Sequence, residues 1–234
     1  MKKQPGYLAF IIGLLSIAAG FTDAFVYLHA KVFPANMTGN SVVLAIALGK
    51  GDLATGYLAG LALLGFIAGT TLGSIILYRR GAAPEWTRST NMVMVTEIGM
   101  YLALTGLLIA SPNADKARMV IGAAVAMGLQ GAATSQLSVK GISTIVITGT
   151  LSLAITRLIF REMNASQGKP LREYNPLLQF ASWIAYLLGA LLGGAFVKMT
   201  SIFPFAVPLS LILFSVLCGW RQERGYERPY QNRG

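Results

Sequence analysis

Four stretches of this chain contain no acidic or basic residue: Leu53 to Tyr78 over 26 residues, Met119 to Val139 over 21, Tyr174 to Val197 over 24 and Met199 to Trp220 over 22. An α-helix rises about 1.5 Å per residue, so roughly 20 apolar residues cross the hydrocarbon core of a bilayer. Each stretch is long enough. Gln4 to Thr22 and Ser89 to Asn113 make two more spans, interrupted or bounded by single acids. Only 12% of the 234 residues are charged, where a soluble domain carries about a quarter. The pattern predicts an all-α polytopic membrane protein, one membrane domain over 1–234. A β-barrel would show short alternating segments instead.

Net charge is +10. The basic residues punctuate apolar spans, as loop residues do under the positive-inside rule, and do not cluster on a soluble module with stacking aromatics. Nucleic acid is therefore not an expected partner. Cys218 is the only cysteine, which excludes an intrachain disulfide and a thiolate metal site. Lys2-Lys3, the apolar run after it and Ala18-Ala19-Gly20 imitate a signal peptide. The segment is expected to stay, because it carries one copy of an internal repeat.

That repeat sets two groups of four hydrophobic segments beside each other, near 7–28, 33–49, 54–78 and 90–111, then 118–138, 141–160, 175–198 and 202–220. The repeat halves run from about 7 to 111 and from 118 to 220, with a cytoplasmic tail at 221–234. Gly20 and Ala24 match Gly128 and Ala132 at an offset of 108. Thr38-Gly39 matches Thr148-Gly149 at 110, and Gly69-xxx-Gly73 matches Gly189-xxx-Gly193 at 120. Three matches in order point to a duplication. The second segment of each half has small polar residues, then Thr-Gly, then an aliphatic run. This is the pattern of a broken helix with a polar cap.

Two topologies are open. If the broken segments are re-entrant, six helices span and the halves are inverted. If they cross, eight span and the halves are parallel. Both place the two termini in the cytoplasm. Arg79, Arg80 and Arg88 fall inside only in the first, so six spanning helices plus two short re-entrant ones is the preferred reading.

The expected site is the interface between the halves. A half-helix N-terminus presents unpaired N–H groups and a positive dipole end, which makes Thr38, Gly39, Asn40, Thr148, Gly149 and Thr150 the main binding candidates. Asp23 joins them, because a carboxyl inside a span must be paired, neutralised or hydrated. It can serve proton or cation coupling or be a polar contact for substrate, or it can be structural and bond Thr38, Asn40 or backbone N–H groups of a broken helix. Gln130 can contact a solute or hold helices together. Glu97, counted from Thr90, falls two turns into its span and is expected to be solvated or structural, with His29 or Lys31 as possible partners. Gly69, Gly73, Gly189 and Gly193 are expected to serve packing, within the bundle or at a dimer contact.

At Ala19-Gly20-Phe21-Thr22-Asp23-Ala24, Met37-Thr38-Gly39-Asn40, Met127-Gly128-Leu129-Gln130 and Ile147-Thr148-Gly149-Thr150, the chain resembles the YoaK family of bacterial integral membrane proteins, a group of unknown function. The resemblance covers about 8 to 220 and implies six membrane helices and a bacterial cytoplasmic membrane. Gly131 stands where the family often has Asn. No catalytic constellation, metal site or cofactor motif is present in the sequence. The expectation is a small-solute transporter or channel-like permease in the lipid bilayer. The alternative is a non-transporting scaffold or regulatory subunit that binds lipid or partner proteins. Homo-oligomers are possible.

Overall fold

The structure is a computed structural model that describes residues 6–80, 86–110, 116–137, 149, 151–152, 155–156, 159, 176–197 and 205–227. Seven helices are laid out: α1 (Gly6–Ala30), α2 (Met37–Lys50), α3 (Leu53–Arg80), α4 (Arg88–Ala110), α5 (Lys116–Ser135), α6 (Pro176–Phe196) and α7 (Ala206–Glu227). No strand occurs among the described residues. Four helices are long and apolar enough to cross a membrane: Gly6–Ala30, Leu53–Arg79, Arg88–Ala110 and Leu177–Phe196. Helix α7 continues past the sixteen-residue apolar piece Ala206–Arg221 to Glu227, so the first part of the expected tail is helix. Thr148, Thr150 and most of the second broken segment lie outside the described residues. Gly149, Leu151, Ser152, Ile155, Thr156 and Ile159, the described positions there, are helical.

Glycines decide how the long helices meet. Along α1, Gly20 lies against the Tyr186 carbonyl of α6, while Gly189 and Gly193 of α6 lie against the carbonyls of Ile17 and Phe21. A Cβ at any of the three would run into backbone. Along α3, Gly69 lies against the Val125 carbonyl of α5, and Gly128 of α5 against that of Phe66. Gly73 sits where a Cβ would be 2.7 Å from that of Ala132. Such crossings are the membrane solution to close approach: without a hydrophobic drive between helices, backbones must touch. The four Gly-xxx-Gly residues thus pack inside the bundle.

Register gives direction. Ile17 meets Gly189 and Phe21 meets Gly193, so α1 and α6 run parallel; Gly65 with Ile121 and Gly69 with Val125 make α3 and α5 parallel. Leu15 accepts a hydrogen bond from Gln130 while Ala19 packs with Met127, which makes α1 and α5 antiparallel. Leu104 against Gly122, with Tyr101 against Met127, sets α4 antiparallel to α5. The pairs Phe10–Phe214 and Phe25–Phe205 set α7 antiparallel to α1. The six long helices therefore alternate in direction along the chain, and α1 and α3 stop and start at the same end of the bundle.

The 31–52 segment occupies that end, called here the hairpin end. Lys31, at φ 61°, turns the chain back without glycine. Its N–H bonds to Tyr27 O at 2.8 Å, and its ammonium sits 5.4 Å from the Tyr27 ring centre. The chain doubles back along α1 until Ala35 lies beside Asp23, about two helical turns or ~10 Å inside the end of α1. Helix α2 then returns outward. Gly51, at φ 71°, closes it in the left-handed conformation, Asp52 N–H reaching Ala47 O at 2.9 Å. Asp52 next accepts from Thr55 N–H at 3.1 Å and caps α3.

The interior is mostly apolar, as in a soluble domain, but the exterior is apolar too and polar side chains are turned inward. Ser16, Thr22, Asp23, Asn40, Glu97, Gln130 and Ser215 are inside, while Leu64, Ile67, Leu188, Leu191 and Phe214 are outside. On α2 only Asn40 and Ala47 are buried. An apolar exterior with the few polar side chains of the spans turned inward is what lipid as solvent demands.

Candidate functional site

Asp23 sits on the inward face of α1, one turn beyond the Gly20 crossing, and is 2% exposed. Close approach of α6 at Gly20 brings Tyr186 over it. The Tyr186 hydroxyl donates to Oδ2 at 2.7 Å, and the Ala35 N–H donates to Oδ1 at 2.8 Å. The carboxyl therefore ties three pieces: α1, the doubled-back segment and α6. No cation among the described residues contributes. A backbone N–H of the broken-helix approach, among the structural partners expected for Asp23, is one of its partners.

Asn40 clamps the same segment from the other side. Its Oδ1 accepts from Phe33 N–H at 2.9 Å, and its amide donates back to Phe33 O. A side-chain amide thus completes both hydrogen bonds of one backbone unit, as a neighbouring strand would. Asn36, and not Thr38 or Asn40, caps α2: its Oδ1 accepts from Gly39 N–H at 3.0 Å. Gly39 is half-buried against that cap. Thr38 is exposed on the outer face of α2, and the structure does not bring it to Asp23. Helix geometry explains this. At 100° per residue, positions 38 and 40 point some 200° apart, so only one faces inward.

Deeper in, Thr22 Oγ1 donates to Ala18 O at 2.9 Å and lies 3.0 Å from the Tyr101 hydroxyl. Tyr101 is fully buried, its hydroxyl 3.4 Å from the Met127 sulfur and its ring 5.3 Å from Phe205. Gln130 is fully buried and donates to Leu15 O at 3.1 Å, bridging α5 to α1. Ser16 and Ser182 meet at 2.7 Å. The structure thus gathers Asp23, Asn40 and Gln130 into the interior, Asp23 at the crossing and Gln130 two turns deeper along α1. Thr148 and Thr150 lie outside the described residues, and Gly149 is half-buried.

Glu97 departs from expectation. It is fully buried, and neither carboxyl oxygen has a hydrogen-bond partner. Helix α4 starts at Arg88, nine residues or ~14 Å before it, which places it near mid-helix. His29 is exposed and engaged with Phe25 O at 2.8 Å, and Lys31 sits over Tyr27; neither pairs with it. Two tyrosines also emerge that the residue pattern did not single out. Tyr101 stands four residues after Glu97, a spacing that puts both on one helix face. Tyr186 had only one signal: it precedes Gly189 by three residues, so it shares that glycine's contact face. Among the described residues no three of His, Cys, Asp and Glu converge, so no metal centre is assigned.

Comparison with known proteins places this arrangement in a broader group. Residues 11–218 match the family described as "Protein of unknown function (DUF1275)". The UPF0700 transmembrane protein YoaK of Bacillus subtilis (strain 168) is 29% identical over 185 residues, covering 78% of this chain and 80% of that protein. No solved structure matches.

Proposed function

The chain belongs to the DUF1275 family, a family of transmembrane proteins to judge by its YoaK relative, and from that premise we propose that it is a small-solute transporter or channel-like permease. Its site lies between two inverted halves, near Asp23 and the doubled-back segment. Six helices span the cytoplasmic membrane of a bacterium, and both termini are cytoplasmic.

The duplication is supported by how the glycines meet. Gly20 against Tyr186 in one crossing corresponds to Gly128 against Phe66 in the other, and Gly189 against Ile17 corresponds to Gly69 against Val125. On α1 and α5 the offset is 108; on α3 and α6 it is 120. The first helix of each half packs against the third helix of the other. Antiparallel α1 and α5 favour inversion, and alternating long helices favour six spans, with α2 re-entrant. Arg79, Arg80, Arg88 and Arg221 gather at the end of the bundle where Gly6 lies. Positive residues mark the cytoplasmic side.

One observation carries the functional reading. Irregular backbone reaches two turns into the bundle and hands its Ala35 N–H to a buried carboxyl that Tyr186 of the other half also grips. Irregular backbone at membrane depth is tolerated where it lines a site. We read the Asp23–Ala35–Tyr186 set as a closed latch. Withdrawing either donor leaves Asp23 free to bind a cation or a polar solute. The competing reading, a non-transporting scaffold, draws on the fact that both oxygens of Asp23 and both polar atoms of Asn40 are already bonded inside the protein.

Stopped-flow light scattering on proteoliposomes, run against a panel of neutral and cationic small solutes, separates the two. The permease reading expects accelerated flux for at least one solute. It expects loss of that flux in Asp23→Ala and a changed rate in Tyr186→Phe, with both variants eluting as folded protein. A Gly39→Leu variant, whose side chain would displace the Asn36 cap, is expected to lose flux as well. Flux unchanged in all three rules out this site.

A further inference from the structure

Glu97 is a buried acid that the latch leaves unused. Asp23 and Glu97 are the only acidic residues buried among the described residues, and no Lys, Arg or His is buried with them. Both oxygens of Glu97 lack a hydrogen-bond partner, as does the Thr105 hydroxyl, 6% exposed and two turns further along α4. Glu97, Tyr101 and Thr105 recur every four residues, so they form one stripe with steps of ~6 Å. In its middle the Tyr101 hydroxyl touches Thr22, the neighbour of Asp23. The stripe therefore runs from mid-bundle toward the hairpin end. At the opposite end Trp86 seals α4 against α7: its indole N–H donates to Asn91 at 2.7 Å, and its ring fills the space over Gly219.

A charged carboxylate without a donor is not tolerated in an apolar interior. One turn from Glu97 on its own helix stands the buried Tyr101, and Asp23 on α1 adjoins the Thr22 that the Tyr101 hydroxyl touches. On α3, α5 and α7 the described basic residues with assigned exposure, Arg79, Lys116, Arg118 and Arg221, are exposed. Nothing in the described core neutralises Glu97 except a proton.

We propose that Glu97 is a proton-binding site that exchanges one proton with water reaching it from the hairpin end. The carboxylate plus one proton gives the neutral acid, and release reverses this; no other bond changes. Opening of the Asp23 latch admits the water. The proposal deepens the permease reading and rests on it only for its consequence, that solute flux is coupled to protons.

The test is infrared spectroscopy of the full chain in lipid nanodiscs, titrated across pH ~5 to ~9. The expected result is a protonated-carboxyl C=O band that is lost in Glu97→Gln, declines as pH rises in the wild type, and declines at lower pH in Tyr186→Phe. If Glu97→Gln does not fold, ¹³C-labelled glutamate assigns the band in the wild type by its isotope shift. Absence of such a band at every pH overturns the proposal. So does a band that never titrates in either protein, because a permanently neutral structural acid would behave that way. A titrating band in protein that passes no solute sinks the permease reading and keeps the proton site. Solute flux indifferent to Glu97→Gln, with no titrating band, does the reverse.

Discussion

The two glycine crossings share their packing and differ in their chemistry. At the α1–α6 crossing, Asp23 stands one turn beyond Gly20 and binds Tyr186. At the α3–α5 crossing the positions offset by the same 108 and 120 residues hold Gly131 and Phe66. A carboxyl and a phenol are replaced by a hydrogen and a phenyl ring. Thr22, beside Asp23, has Gln130 as its counterpart. The shared part is what backbone contact demands: glycine where a Cβ would strike a carbonyl. The divergent part is polar. Backbone contact tolerates little change at either crossing, so any difference between them has to be written in the side chains around the glycines.

The comparison breaks most visibly at the glycines themselves. Leucine at Gly20 and leucine at Gly69 each collide with backbone that cannot rotate away, so each should cost more than about 3 kcal/mol and abolish a monodisperse folded peak. If one is tolerated and the other is not, the crossings are not equivalent. A smaller effect sharpens the chemical half of the comparison. Gly131→Asp places an unpartnered carboxyl in the second crossing and should lower the thermal midpoint. Adding Phe66→Tyr should recover about 1–2 kcal/mol of that loss by rebuilding the hydrogen bond. No recovery in the double variant means residues 131 and 66 do not face each other as Asp23 and Tyr186 do.

Smaller again is Asn40→Ala, which removes both bonds to Phe33. It should destabilise by about 1–3 kcal/mol and speed hydrogen exchange in 31–36 while leaving both crossings protected. The smallest effect is expected at Asp52, outside both crossings. Hydrogen bonds from Thr55 hold its carboxyl below the ordinary carboxylate range. Its contribution is therefore present at neutral pH and lost as pH falls through that lowered value. Asp52→Asn should flatten the acid limb of a pH–stability curve slightly. A steep change would mean the α2–α3 turn matters more than its exposure suggests.

Helix positions were legible in the chain because charge-free length and flanking charges are local signals. The Gly-xxx-Gly pairs were legible as packing because close approach leaves no other residue possible. For Asp23 a backbone N–H of the broken segment was an expected kind of partner, but that it is Ala35, and that Tyr186 joins it, was not legible. One is a main-chain N–H, which no residue identity encodes, and the other lies 163 residues away. Thr38 faces outward because residues 38 and 40 lie on nearly opposite sides of α2, and the Thr-Gly pattern alone does not say which of them faces the core. Counting from Thr90 puts Glu97 near the end of its span, where a solvated or structural role is expected. Arg88 begins the helix earlier, and the surrounding helices, not distance from the end, decide burial.

Parallel pairing between the first helix of one half and the third of the other has a consequence for biosynthesis. Ser16 waits for Ser182, 166 residues downstream, before its side of the bundle can close. The nascent first helix therefore leaves the translocon with its Gly20 face uncovered by α6. It stays so until nearly the whole polypeptide has emerged from the ribosome. Severing the gene between α4 and α5 would yield two fragments, neither of which matures alone.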